Sequence, residues 1–181
     1  IYVSSDNVIY SFEKGLNPSK YVTLPATLIL ETKDCFSGDI KTEKDTMAEV
    51  DYSTLNPSTG PIYFNNVKPG DVLEVKIKKI KCNSPGFTMC VPKEGLLGDM
   101  IKKPITKFYN FDNEKIEIDN TKVDLKPMIG VIGVAPAEGS IPTNTPGDHG
   151  GNIDTTLIKE GSTIFLPVFV DGGLLALGAV S

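Results

Sequence analysis

"DVLEVKIKKI", residues 71–80, decides the class of fold. Leu73, Val75 and Ile77 alternate with Glu74, Lys76 and Lys78, a period of two that belongs to a β-strand with one apolar and one wet face. Val72 breaks the pattern, an apolar residue on the charged side. Just upstream, "VKPGD" (67–71) predicts a type II turn, in which proline presets φ at about −65° for the second position and glycine accepts the positive φ of the third. "IKEGST" (158–163) follows the same logic ahead of "TIFLPVFV" (163–170). Each unit reads as a turn feeding a buried or half-buried strand.

Other stretches carry the same signature. The 17 glycines and 13 prolines divide the chain into short segments rich in valine, isoleucine and threonine. "YVTLPATLILET" (21–32), "GPIYFNNV" (60–67), "DVLEVKIKKIKC" (71–82), "KIEIDNTKVDL" (115–125), "PMIGVIGVAP" (127–136) and "STIFLPVFV" (162–170) are predicted strands. Such spacing predicts an all-β sandwich or barrel with little helix. "KTEKDTMAEV" (41–50) is expected to form a short surface helix, with Thr42 as N-cap and Asp45 three residues on. "PKEGLLGDMIKK" (92–103) holds two internal glycines, each costing a helix about 1 kcal/mol, and is expected to be a loop with at most one turn. Residues 1–181 read as a single β domain; if it divides into two small β subdomains, the boundary is expected near 107–115, in "KFYNFDNEK".

Bulk composition narrows the function. A chain of 181 residues, 40% hydrophobic, is large enough to build a core. A net charge of −5 argues against a nucleic-acid partner, because the lysines are scattered among carboxylates. The exception, "KIKKIK" (76–81), interleaves its lysines with Ile77 and Ile80 and reads as the wet face of a strand. Cys35, Cys82 and Cys90 are odd in number and form no CxxC pair, which fits a reducing compartment rather than a disulfide framework. The longest apolar run, "STIFLPVFV", is far short of the roughly 18 residues of a membrane helix, and the N-terminus has no signal-peptide pattern. The expectation is a cytoplasmic protein without a membrane partner.

Two polar clusters are candidates for chemistry. "TPGDHGGNID" (145–154) contains the single histidine, His149, among Gly147, Gly150 and Gly151, whose missing Cβ atoms let a ligand or a strand approach closely. Imidazole is a common metal ligand and general base, and Asp148, Asn152 and Asp154 add oxygens nearby. The alternative is a glycine-rich turn whose histidine caps backbone groups. "ETKDCFSGDI" (31–40) follows an apolar stretch, so Asp34 falls at a strand end, and Asp34 and Asp39 are either metal or water ligands or turn caps. Cys35, beside a phenylalanine, reads as buried filler. Asn56, Ser58 and Thr59, in "LNPSTGPIYFNNVKPGD" (55–71), read as a rigid turn before they read as a substrate contact. No Walker loop, GxSxG elbow or HExxH occurs, and a Ser/His/Asp triad has only His149 to draw on.

Together, "ETKDCFSGDI", "NPSTGPIYFNNVKPGDVLEVKI" and "PMIGVIGVAPAEGSIPTNTPGDHGGNIDTTLIKEGSTIFLPVFVDGGLLALG" resemble, in this order, the acetamidase/formamidase family. The resemblance spans most of residues 21–178 and is weakest over 83–126. It implies a jelly-roll-like β fold and a cytoplasmic amidase that hydrolyses short linear amides to carboxylate and ammonia by metal-assisted water attack. On this reading His149 and Asp34 hold a divalent metal, zinc, and Asp148 is catalytic, as a further ligand or by orienting water. Gly150, Gly151 and Asn152 line the amide pocket as donors to the oxyanion. A homo-oligomer, a dimer, is expected. In the family, the equivalent of "LLALG" continues with Gly-Asp, a hydrophobic residue and His, then Gly-Asp-Gly-Glu. Here the sequence reads "LGAVS": either Ala179 and Ser181 replace the aspartate and histidine or their segment is skipped, so the family's C-terminal region is expected to be absent. The alternatives are an inactive fragment that needs a partner chain and a non-catalytic β-sandwich binding module. The absence of tryptophan and an aromatic content of 8% speak against a sugar-stacking platform.

Overall fold

The computed structural model describes residues 1–48, 50–112, 115–118 and 120–180. Its strand Val72–Lys76 realises the alternation seen in the sequence, with Leu73 and Ile77 buried, Glu74, Lys76 and Lys78 exposed, and Val72 on the wet side at 62% exposure. Gly70 takes φ +95°, and Asp71 N–H donates to the Lys68 carbonyl at 3.0 Å, closing the expected turn. Gly161, at φ +86°, does the same between Lys159 and Ser162. The strands these turns feed are partners: Val72–Lys76 runs antiparallel to Thr163–Pro167, with Leu73 opposite Leu166. Each turn closes the far end of the other's strand. Gly70 N–H donates to the Val168 carbonyl and Gly161 N–H to the Ile77 carbonyl.

The largest sheet has the order Gly150–Asn152, Ile129–Gly133, Leu175–Val180, Ser58–Asn65 and Val8–Ile9, and Lys20–Thr23 runs parallel to Ser58–Asn65. Its central strands Ile129–Gly133, Leu175–Val180 and Ser58–Asn65 are buried along most of their length, on both faces, whereas Lys20–Thr23 buries only Val22. Ile62 and Ile132 enter a core shared with Leu73 and Leu166 of the two-stranded ribbon. Val131 and Ala176 enter a second cluster with Ile9, Phe12 and Ala179. All-β architecture with little helix, as expected, is what the sequence folds into; among the described residues the helical pieces are the 3-10 turns Tyr52–Thr54 and Gly98–Met100, the second within the predicted 92–103 loop. No helix among the described residues is long and apolar enough to cross a membrane.

Three local expectations need correcting. The described residues of 41–50 form turns rather than a helix: the Asp45 carboxylate accepts from Lys41 N–H and Thr42 N–H, both at 2.8 Å, and this local closure replaces helical bonds. The predicted strand 21–32 is broken into Lys20–Thr23 and Ile29–Leu30, with Pro25, which has no N–H for a ladder, between them. The predicted strand 115–125 is a hairpin, with Lys115 opposite Asp124 and Ile118 opposite Thr121. Leu175–Val180, outside the six predicted strands, lies between two others in the main sheet.

Backbone contacts group the chain into one unit of residues 1–37, 53–80 and 127–181 and a second of 38–52 and 81–126. Residues 107–115 lie inside the second, which holds the hairpin of Gly86–Cys90 with Ile105–Tyr109. There Thr106 is buried, and its hydroxyl donates to the Asp45 carbonyl at 2.6 Å.

Candidate active site around His149

His149 is held by two anchored ends of one loop. At the first, Ser140–Pro142 pairs with Ser11–Glu13, placing Ile141 opposite Phe12. The chain then turns: Thr143 N–H donates to the Tyr10 carbonyl and Thr145 N–H to the Pro142 carbonyl, both at 3.0 Å. At the second, Gly147 and Gly150 exchange N–H to carbonyl bonds of 2.9 and 3.0 Å, and Gly150–Asn152 joins the edge of the main sheet against Ile129–Gly133. The His149 carbonyl accepts from Val134 N–H at 3.0 Å.

The glycines are required by contact. Gly150 has φ +97°, and a Cβ there would run into the Ile132 carbonyl oxygen; Gly151 has φ +84° and would meet that of Thr145. The imidazole lies within the hairpin these residues form. A Cβ on Gly147 would come within 2.9 Å of Nδ1, and one on Gly151 within 2.9 Å of Nε2. Phe12 closes the site edge-on, its ring centroid 5.1 Å from that of His149. His149 is 1% exposed, and neither ring nitrogen has a hydrogen-bond partner among the described residues. Burial pushes its pKa down, opposed by the weaker pull of the Asp148 carboxylate, so the ring favours the neutral form. A buried, unbonded polar group is costly and needs an explanation, and a catalytic role is one that such a group admits. The alternative of a histidine that caps backbone groups through its ring is not what is seen.

Asp148 is exposed and adjacent to His149 in the chain. Gly150 N–H is committed to Gly147, and the Asn152 side-chain amide reaches the Asn144 carbonyl at 3.4 Å. Asp34, exposed, accepts from Phe36 N–H at 2.8 Å, the Asx turn that was its structural alternative. Asp39 is exposed as well. Cys35 packs against the cluster that contains Phe12, and burial, then the charges of Asp34 and Asp154, push its thiol up to about 11. Ser58 and Thr59 are fully buried and bond to backbone carbonyls, as a rigid segment would. Ala179 is buried in the Phe12 cluster; Ser181 lies outside the described residues. Among the described residues no three His, Cys, Asp or Glu side chains gather into a group able to hold a metal ion. Phe12 and Thr143 carried no signal in the sequence, since nothing in "SFEK" or "SIPTNT" marks a contact with a distant histidine.

The sequence model of the Acetamidase/Formamidase family matches residues 11–145. The chain belongs to the acetamidase/formamidase family. Three solved structures illustrate the relationship. An acetamidase from Bacillus halodurans is 41% identical with a TM-score of 0.96, over 99% of this chain and 61% of that one. A predicted acetamidase/formamidase from the thermophile Thermoanaerobacter tengcongensis is 44% identical with a TM-score of 0.94, over 99% of this chain and 60% of that one. A γ-lactamase from Delftia acidovorans, 23% identical with a TM-score of 0.87 over 97% and 58% of the two chains, shares the fold. The family member described here thus spans about three fifths of the length of these relatives. No curated protein sequence matches it.

Proposed function

We propose that the protein hydrolyses the C–N bond of short linear amides, of the formamide or acetamide class, releasing carboxylate and ammonia. Membership of the acetamidase/formamidase family supports this reading, and the observation that carries it is the buried imidazole of His149 with both nitrogens unbonded. Amide hydrolysis needs a base to take a proton from water, donors to the carbonyl oxygen as it gains charge, and an acid for the departing amine. A neutral His149 takes the water proton and returns it to the nitrogen that leaves. The carboxylate of Asp148, whose charge favours protonated His149, stabilises the imidazolium between these steps and orients the water. Of the three expected donors, Gly150 N–H is spent on Gly147; Asn152, held by one long bond, turns its amide to the substrate oxygen.

Metal assistance is a separate proposal, with His149 and Asp34 as ligands of a divalent ion such as zinc. The unbonded ring nitrogens suit it. The rest of the donor set does not: catalytic zinc takes three protein ligands, and the described residues gather no such group. No step above therefore runs through a metal. The homodimer and the cytoplasmic location belong to the proposal too, the first open to sedimentation.

Ammonia release from formamide and acetamide tests the reading, with the purified chain, His149→Ala and Asp148→Asn, each with added zinc and with chelator. Loss of His149 is expected to lower the rate about 10²–10⁴-fold. Equal rates for the parent and His149→Ala would remove the histidine from the chemistry, and indifference to zinc and chelator would remove the metal.

A further inference from the structure

Thr143 is 1% exposed, and its hydroxyl is 3.2 Å from each of two backbone carbonyls, those of Tyr10 and Leu55. A hydroxyl has one proton to give. The Tyr10 carbonyl already receives Thr143 N–H, so the side chain is what links this loop to Leu55. Both neighbours of Leu55 hold the segment that carries Asp34. Asn56 N–H donates to the Cys35 carbonyl at 2.8 Å, and the Ser37 hydroxyl donates to the Thr54 carbonyl at 2.7 Å. Ser37 N–H in turn donates to the Asp34 carbonyl at 3.1 Å. On the other side, Tyr10 lies two residues from Phe12, whose ring meets His149. Thr143 thus joins the His149 loop to the segment bearing Phe12 through its N–H, and to the segment that fastens Asp34 through its buried hydroxyl.

We propose that Thr143 is a positioning residue: its hydroxyl sets the placement of the His149 loop against the segment bearing Asp34. The inference rests on the reading of His149 as a residue of the active site. Valine in its place keeps the shape and turns a methyl toward both carbonyls; serine keeps the hydroxyl.

The single histidine makes the test direct, because its ring gives one set of imidazole signals in heteronuclear NMR. Thr143→Val and Thr143→Ala, the second guarding against a valine variant that fails to fold, are compared with Thr143→Ser and the parent chain. The His149 ring signals are expected to shift in the valine and alanine variants and to return with serine. On formamide, kcat is expected to fall about a hundredfold with KM nearly unchanged, the scale of a misplaced catalytic group. Ring signals that stay put in a folded valine or alanine variant overturn the proposal, as does a shift that serine fails to reverse. If they move and serine restores them while the parent chain releases no ammonia, Thr143 keeps its positioning role and the amidase reading is what fails.

Discussion

Phe12 stands edge-on to His149, with ring centroids 5.1 Å apart and planes inclined by 65°. This contact and the surrounding hairpin take the imidazole out of water, and burial lowers its pKa against the opposing charge of Asp148. The folded state favours the neutral ring, whereas the unfolded chain takes up a proton near the ordinary value of 6.5. Below that value the unfolded state binds more protons, so this contribution to stability is full above it and is lost as pH falls toward the folded-state value. Urea unfolding at pH 7.5 and 5.5 is expected to show a steeper acid loss in the parent chain than in His149→Gln. Identical slopes would mean that the ring is not buried neutral.

The thiols are expected to divide by exposure. Cys35, pushed up to about 11, is thiolate in only about one part in a thousand at pH 8, and Cys82 is also raised by burial. Cys90 is exposed. Iodoacetamide at pH 8, followed by peptide mass spectrometry, is expected to label Cys90 first and Cys35 last. Equal labelling of Cys35 and Cys90 would contradict the packing of Cys35 against the Phe12 cluster.

Adjacent residues of the strand Val72–Lys76 are expected to respond oppositely to substitution. Leu73, 3% exposed and opposite Leu166, loses about 2–5 kcal/mol on change to alanine. Val72→Thr, on the wet side, changes stability by less than about 0.5 kcal/mol. Urea midpoints of the two variants measure the difference, and comparable losses would show the strand to be in the wrong register.

Gly178→Ala tests the central strand. A Cβ there would run into the Pro57 carbonyl, a backbone atom that cannot swing aside, and a cost of about 1–3 kcal/mol or more follows. Gly139→Ala meets no atom within 4 Å and bears only the strain of φ +76°, about 1–2 kcal/mol. Thermal unfolding that ranks Gly139→Ala as the worse variant would refute the close approach of Leu175–Val180 to Ser58–Asn65.

What was legible in the sequence was local. The alternation at 71–80 specified which residues of that strand enter the core, and the glycines at 70 and 161 marked turns because few other residues accept positive φ. "LALGAV" was not legible as a strand. It lacks the β-branched run that marks one, and its conformation comes from lying between Ile129–Gly133 and Ser58–Asn65, where small side chains permit the backbones to close up. "KTEKDTMAEV" misled in the other direction, because the Asp45 carboxylate serves a turn as well as it would a helix.

For the site, the sequence by itself determined the family and the one imidazole able to serve it. The glycines around His149 belong to that local reading, because absence of a Cβ is a property of the residue wherever the chain goes. Tertiary structure decided everything that depends on distance: that the ring is buried and unbonded, that Phe12 closes it, that Gly150 N–H is already spent, and that Thr143 ties its loop to the Asp34 segment. Desolvation and hydrogen bonding act over a few ångströms of space, and no local pattern records which remote residues the fold brings within that range.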